Sequence, residues 1–237
     1  MRQTADYREV DAVINFHKPR GVTSADCVNY VKKILNVKKV GHGGTLDPFA
    51  SGVLPIGINR GTKILQSYVD GSKVYTGHAK AGYSTDTLDL EGVITDTGDD
   101  SLPSEAILKE HCLPFLGELE QETPAFSARK IGGKKLYELA RAGVAPEKRP
   151  VKSVVIYEFQ VMADETGVNF LVECSKGTYI RQLLFDYLKS MTLHGHLDRL
   201  VRSQVADLKI TDSITPFELA SLSVNGVSLE GKWLNLP

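Results

Sequence analysis

The sequence predicts an α+β fold, and three segments carry that prediction. "SKVYTGHAKAGYS" (Ser72 to Ser84) alternates: Tyr75, Gly77, Ala79, Ala81 and Tyr83 share one face, and Val74, Thr76, His78 and Lys80 the other, the pattern of a strand. "SVVIYEFQV" and "VNFLVEC" flank "DETG" as an antiparallel hairpin. "KGTYIRQLLFDYLKS" puts Ile180, Leu183, Leu184, Tyr187 and Leu188 on one helical stripe, with Thr178 as its cap. Antiparallel strand pairs mixed with helices argue for α+β over a doubly wound sheet.

The remaining elements follow in order. "VDAVINFHKP" reads as a strand closed by Pro19 and a glycine-containing turn. Ser24 then reads as an N-cap, ahead of Cys27, Val28, Val31, Ile34 and Leu35 at helical spacing. "DTGDDSLPS" is a loop, with a helix expected from Ser104. "GGKKLYELARAG" reads as a short helix ended by Gly143. No repeat, low-complexity tract or linker interrupts the 237 residues, so a single domain over 1–237 is expected.

Composition narrows the class. An apolar share of 42% and a charged share of 24% are ordinary for a soluble chain. The N-terminus "MRQTADYREV" lacks the apolar core of a signal peptide, and no stretch approaches a membrane span, so a cytoplasmic location with no membrane partner is expected. Cys27, Cys112 and Cys174 lie far apart, which fits neither a disulfide framework nor a zinc ribbon. Net charge is −1, but its distribution is uneven. Residues 84–122 carry eleven acidic side chains against Lys109 alone, whereas residues 123–152 carry eight bases against Glu138 and Glu147. A locally basic segment binds a polyanion whatever the net charge, although a solvated helix face would look the same.

Three segments are candidates for chemistry. "GHGGTLDPFASGVL" (Gly41 to Leu54) sets one carboxylate, Asp47, among small residues. It matches neither the phosphate-binding loop nor the dinucleotide fingerprint. What remains is a carboxylate on a backbone that another molecule can approach, or a plain Asp-Pro turn. "CSKGTYIRQL" (Cys174 to Leu183) brings Arg181 to a helix N-terminus, against the macrodipole, so an anionic partner would explain it, and Asp47 is a candidate. "HGH" (His194 to His196) lacks supporting metal ligands at a suitable spacing, so no metal site is expected.

In this order the segments resemble the TruB-type tRNA pseudouridine synthases. "HKPRGVTS", "GHGGTLDPFASGVLPIGINRGTK", "KVYTG", "GYSTDTLDLEG", "QETPAFSARKIGGKKLYELARAG", "CSKGTYIRQL" and "LDRLVRS" are similar to that family's successive motifs. The resemblance implies a pseudouridine-synthase-like fold, a mixed and mostly antiparallel central sheet flanked by helices. Residues 123–152 would be a basic, thumb-like RNA-binding insertion including Lys130. It implies Asp47 as nucleophile, Tyr75 stacked on the flipped uracil and active in proton transfer at C5, and Arg181 paired with Asp47. His42 would fill the gap that the target nucleotide leaves, and Tyr179 and Leu200 would line the base pocket. Lys18 and Lys63 would support the site or touch backbone phosphate.

The implied partner is tRNA, through its T arm and the uridine at position 55. Neither a protein partner nor a cofactor is expected, since no hydride or electron moves, and the chain is expected to be a monomer. Uracil leaves as a delocalised anion, so one carboxylate suffices where glycosidases use two. That carboxylate attacks the sugar carbon or assists loss of the C2′ proton. A stacked base must be flipped before it can react.

The sequence departs from the family in places. Residues 213–237 read as a short C-terminal segment, too short for a full RNA-binding PUA domain. Thr123 stands where proline is common, Phe126 where tyrosine is, and Gln204 and Ala206 where glycine and phenylalanine are. Two other readings remain: a tRNA-folding RNA chaperone, and a subunit of a guide-RNA-dependent synthase. The charge reversal at Thr123 predicts that tRNA affinity, measured by filter binding, falls as salt rises and falls again in Lys130→Ala or Lys134→Ala. Affinity insensitive to all three would remove the insertion from RNA binding.

Overall fold

The computed structural model describes residues 7–127, 129–142, 144, 149–224 and 233–235. The chain opens with β1 (Ala12–Lys18), α1 (Ser24–Leu35), β2 (Val40–His42), β3 (Ser51–Ile58), α2 (Leu65–Asp70) and β4 (Lys73–Ala81). Next come β5 (Tyr83–Thr85), β6 (Ile94–Thr97), α3 (Glu105–Glu110), β7 (Gly117–Glu122), β8 (Lys130–Ile131), β9 (Lys134–Lys135) and α4 (Leu136–Arg141). It ends with β10 (Val151–Ala163), β11 (Gly167–Cys174), α5 (Ile180–Ser190), β12 (Gly195–Val205), β13 (Leu208–Lys209), α6 (Pro216–Val224) and β14 (Trp233–Asn235). The expected α+β class holds: the principal sheet is mixed and mostly antiparallel, with helices packed against it. Among the described residues no helix is long and apolar enough to cross a membrane.

The described residues of 1–74 and 201–237 form one compact unit, and those of 75–200 a second. In the first, the strands run β14-β1-β3-β12. β1 pairs antiparallel with β3 (Phe16 opposite Leu54), and β3 runs parallel to β12 (Gly52 opposite Arg202). β1 is buried on both faces, and the polar Asn15 and Lys18 within it are buried with their side chains hydrogen-bonded to main-chain carbonyls. Ile14 and Phe16 join Val31 and Leu35 of α1, while Val13 packs on the other side with Val53, Leu65, Tyr68 and Val205.

The cap of α1 differs from the reading above by one residue. Thr23, not Ser24, is the N-cap; its hydroxyl accepts from the Asp26 N–H while Asp26 accepts from the Thr23 N–H, a reciprocal capping box. Ser24 is released for another task, described below.

In the second unit the order is β4-β11-β10-β7. The expected hairpin is present: β10 and β11 pair with Val161 opposite Phe170. The run read as one strand from Ser72 breaks at Gly82 (φ 105°), where the chain leaves β4 for β5. His78, on the face opposite Tyr75 in the strand pattern, is buried, with Nδ1 2.7 Å from Asp198 and Nε2 3.2 Å from Asp164. The "HGH" histidines serve packing and pairing: His196 stacks on Tyr83 at 4.3 Å and bonds its carbonyl through Nδ1, and His194 lies 3.5 Å from Asp96. Phe115, Phe159 and Tyr187 pack edge to face in the interior.

Between residues 123 and 152 the chain forms the small β8–β9 hairpin and α4. Gly143, read as the helix stop, lies outside the described residues, as do the side chains of Lys130 and Lys134.

Close backbone approach fixes one glycine in the first unit. A Cβ at Gly61 would lie 1.9 Å from the Ala12 carbonyl oxygen. Gly61→Ala is therefore expected to cost about 3 kcal/mol or more, the upper range for overpacking, read as a lowered denaturant midpoint at unchanged slope.

Candidate active site

In the first unit, Asp47 sits half-buried at the start of a turn closed by the Ala50 N–H on its carbonyl (3.1 Å). The plain-turn reading of Asp-Pro is thus correct for the backbone, and the turn is what presents the carboxylate. Four side-chain and main-chain anchors hold it. Lys18, fully buried on β1, donates its ammonium to the carbonyls of Pro19 (2.9 Å), Pro48 (3.2 Å) and Ala50 (2.7 Å). Arg202, 1% exposed on β12, donates to Val53 (2.8 Å), Thr45 (3.2 Å) and Gly44 (3.1 Å). Ser24 brackets the residue before Asp47, accepting from the Leu46 N–H (3.0 Å) and donating to its carbonyl (3.2 Å). The Gly21 N–H donates to Pro48 (2.8 Å).

Lys18 is fully buried, and these three bonds to main-chain carbonyls are those of a group that braces the turn. Smallness in this loop also serves the interior: Gly52 has φ 115°, and a Cβ there would lie 2.3 Å from the Arg202 carbonyl oxygen. His42, at the end of β2, is half-buried. Its Nδ1 is buried and has no hydrogen-bond partner among the described residues. Burial, and then the Arg202 charge, hold its imidazole below the ordinary histidine value. Lys63 is exposed at the end of a 3-10 turn, Asn59–Lys63.

In the second unit, Tyr75 is 8% exposed on β4 and Leu200 is 5% exposed on β12. Tyr179 is the N-cap of α5, with no side-chain cap of its own. Thr178, expected to cap, donates instead to the Ser175 carbonyl (2.9 Å). The capping is done by Gln121 of β7, whose carboxamide accepts from the Tyr179 N–H (2.7 Å) and donates to its carbonyl (3.0 Å). Arg181, two residues on, is 5% exposed. Its guanidinium donates to the carbonyls of Thr87 (2.7 Å) and Phe126 (2.9 Å), and Nη1 lies 3.5 Å from Asp89 Oδ2. Asp89, 4% exposed, is itself set by the Thr87 hydroxyl (2.6 Å) and the Glu91 N–H (3.0 Å). A cation near a helix N-terminus thus has a carboxylate and two carbonyls facing it, which offset the unfavourable dipole.

Asp89, Gln121, Ser24 and Arg202 are the residues that sequence reasoning left without a site role. Asp89 was counted as one charge in an acidic run, although it lies inside "GYSTDTLDLEG". An arginine within the apolar strand pattern "LVRSQV" was the available signal for Arg202. Gln121 likewise opens "QETPAFSARKIGGKKLYELARAG", but nothing local marked it as a contact to another element.

Residues 32–180 match the model of the TruB family pseudouridylate synthase N-terminal domain. The chain belongs to this family of isomerases. It is 43% identical over 212 residues to the tRNA pseudouridine synthase B of Caldanaerobacter subterraneus subsp. tengcongensis, covering 89% of this chain and 74% of that protein. It is 43% identical to the Bacillus pumilus protein of the same name, covering 92% and 72%. Among solved structures it is similar to a Cbf5-Nop10-Gar1 complex (25% identity, TM-score 0.73, 98% of this chain and 67% of that one). An H/ACA RNP bound to a substrate RNA containing 2'-deoxyuridine is also similar (26%, 0.70, 94% and 59%).

Lys18→Met removes the three bonds that shape the Asp47 turn. It is expected to destabilise by about 1.5–3 kcal/mol, the range for hydrogen bonds to a charged group, by denaturant unfolding. Amide exchange at Gly21 and Ala50 should accelerate more than at β1; uniform acceleration would place Lys18 in the general core instead.

Proposed function

We propose that this protein isomerises uridine to pseudouridine in tRNA, at position 55 of the T loop, with Asp47 as nucleophile on a flipped base. Pseudouridine formation in tRNA is supported by the relatives named for it, at 40–43% identity over most of the chain. Identity to the H/ACA particle chains is lower, 25–26%, which favours a tRNA enzyme over a guide-dependent subunit.

The observation that carries the finer reading is the Asp47 turn. Two buried cations, Lys18 and Arg202, donate to carbonyls of residues 44–53 and to that of Pro19, bracing a turn whose carboxylate is itself only half-buried. Burying a lysine and an arginine is costly unless every proton is bonded, so a fold that does so twice around one turn depends on that turn's shape. Asp47 then acts at the sugar. Its carboxylate oxygen bonds C1′ as the C1′–N1 bond breaks with the electron pair leaving on uracil; the base turns, C5 attacks C1′ and displaces the carboxylate, and the C5 proton is lost as N1 gains one. Electrons balance without a redox partner. Tyr75 supports the uracil ring and assists at C5, Tyr179 and Leu200 line its pocket, and Arg181 serves that pocket from α5. His42 occupies the space vacated in the T loop, and Lys63 meets backbone phosphate beside it.

In Asp47→Asn, tritium release from C5-labelled uridine in unmodified tRNA should fall by at least about 10³-fold, a loss typical of a nucleophile, while tRNA affinity stays within a few-fold. Retained isomerisation would refute the assignment. Loss of product with intact tRNA refolding would show a second, chaperone activity in the same chain.

A further inference from the structure

Gln121 stands outside every motif role assigned above, yet its geometry ties three parts of the second unit together. It is 2% exposed, and both ends of its carboxamide are spent on the main chain of Tyr179. That is the two-bond pattern of a paired strand residue, made here by a side chain. Tyr179 is where the chain changes from extended (φ −96°, ψ 103°) to helical, and its carbonyl also accepts the first bond of α5, from Leu183 (3.0 Å). Whatever sets the peptide planes of Tyr179 therefore sets the starting direction of the helix that carries Arg181.

The same residue stands at the root of residues 123–152. Gln121 is opposite Lys152 and Glu122 opposite Val151 in the β7–β10 ladder, and the Thr123 N–H donates to Pro150 (2.9 Å). Lys152 reaches the Lys176 carbonyl (3.2 Å), and Phe126, just inside the segment, accepts from Arg181 (2.9 Å). Both ends of the segment thus meet the 175–181 turn.

We propose that Gln121 is a positioning residue for the isomerisation. By fixing the main chain of Tyr179 it places the Tyr179 ring and the Arg181 guanidinium, and it joins their placement to the base of the 123–152 segment. The inference rests on the function proposed above, in which Tyr179 and Arg181 serve the uracil site.

The test is single-turnover kinetics on unmodified T-arm RNA at saturating enzyme, beside equilibrium affinity, for wild type, Asp47→Asn, Gln121→Met and Gln121→Glu. Gln121→Met removes both bonds at nearly constant volume. Its rate constant is expected to fall by about tenfold or more, the scale of a sub-ångström misplacement of reacting groups, with affinity within about threefold of wild type. Gln121→Glu keeps the acceptor for the Tyr179 N–H and regains the donor to its carbonyl only when protonated. Its rate relative to wild type should therefore climb as pH falls, which a purely structural glutamine would not produce.

A folded Gln121→Met turning over at the wild-type rate, or losing rate and affinity together, overturns the inference. So does a Gln121→Glu ratio flat with pH, which decides the matter if Gln121→Met fails to fold. An active wild type with inactive Asp47→Asn confines any such failure to Gln121; isomerisation that survives in Asp47→Asn would instead refute the parent reading.

Discussion

The Asp47 turn depends on cations buried against main-chain carbonyls. Lys18 and Arg202 come from β1 and β12, distant in sequence, and donate to carbonyls of the same loop. A buried ammonium or guanidinium cannot be left short of acceptors, so the loop must keep its carbonyls where these donors are. The constraint runs both ways: the loop satisfies the charges, and the charges give the loop one shape. The Asp47 carboxylate is thereby held on a turn of fixed shape while staying only half-buried.

A second device recurs in both units. Ser24 and Gln121 each hold one residue by its N–H and its carbonyl together, Leu46 in one case and Tyr179 in the other. In each the residue held lies one or two positions before a proposed site residue, Asp47 or Arg181. A pair of bonds to one peptide fixes both its position and its rotation, which a single bond does not. Thr123, by contrast, keeps its N–H on Pro150, a bond that proline could not make, but buries a hydroxyl with no partner among the described residues.

Much of this was legible in the sequence. Strand alternation at Lys73–Ala81, the β10–β11 hairpin and the α5 stripe all follow from local period, because burial on one face imposes that period. What escaped were contacts made over long sequence separation. Ser24 looked like a cap because serine before a helix usually is one, but Thr23 with Asp26 made the better reciprocal pair. Thr178 looked like a cap for the same reason, and lost to a glutamine 58 positions away in sequence. Asp89 was hidden by its acidic neighbours: composition counts charges, whereas only folding shows which one faces an arginine. Asp47 and Arg181 stand out by local context, a carboxylate among glycines and a cation at a helix start, whereas the roles given to Tyr75 and Tyr179 come through family motifs.

His42 brings its own constraint. Burial, and then the Arg202 charge, disfavour the charged form of an imidazole whose Nδ1 is walled off. In the proposed function such a ring would meet RNA by stacking, which added salt does not screen as it screens charge.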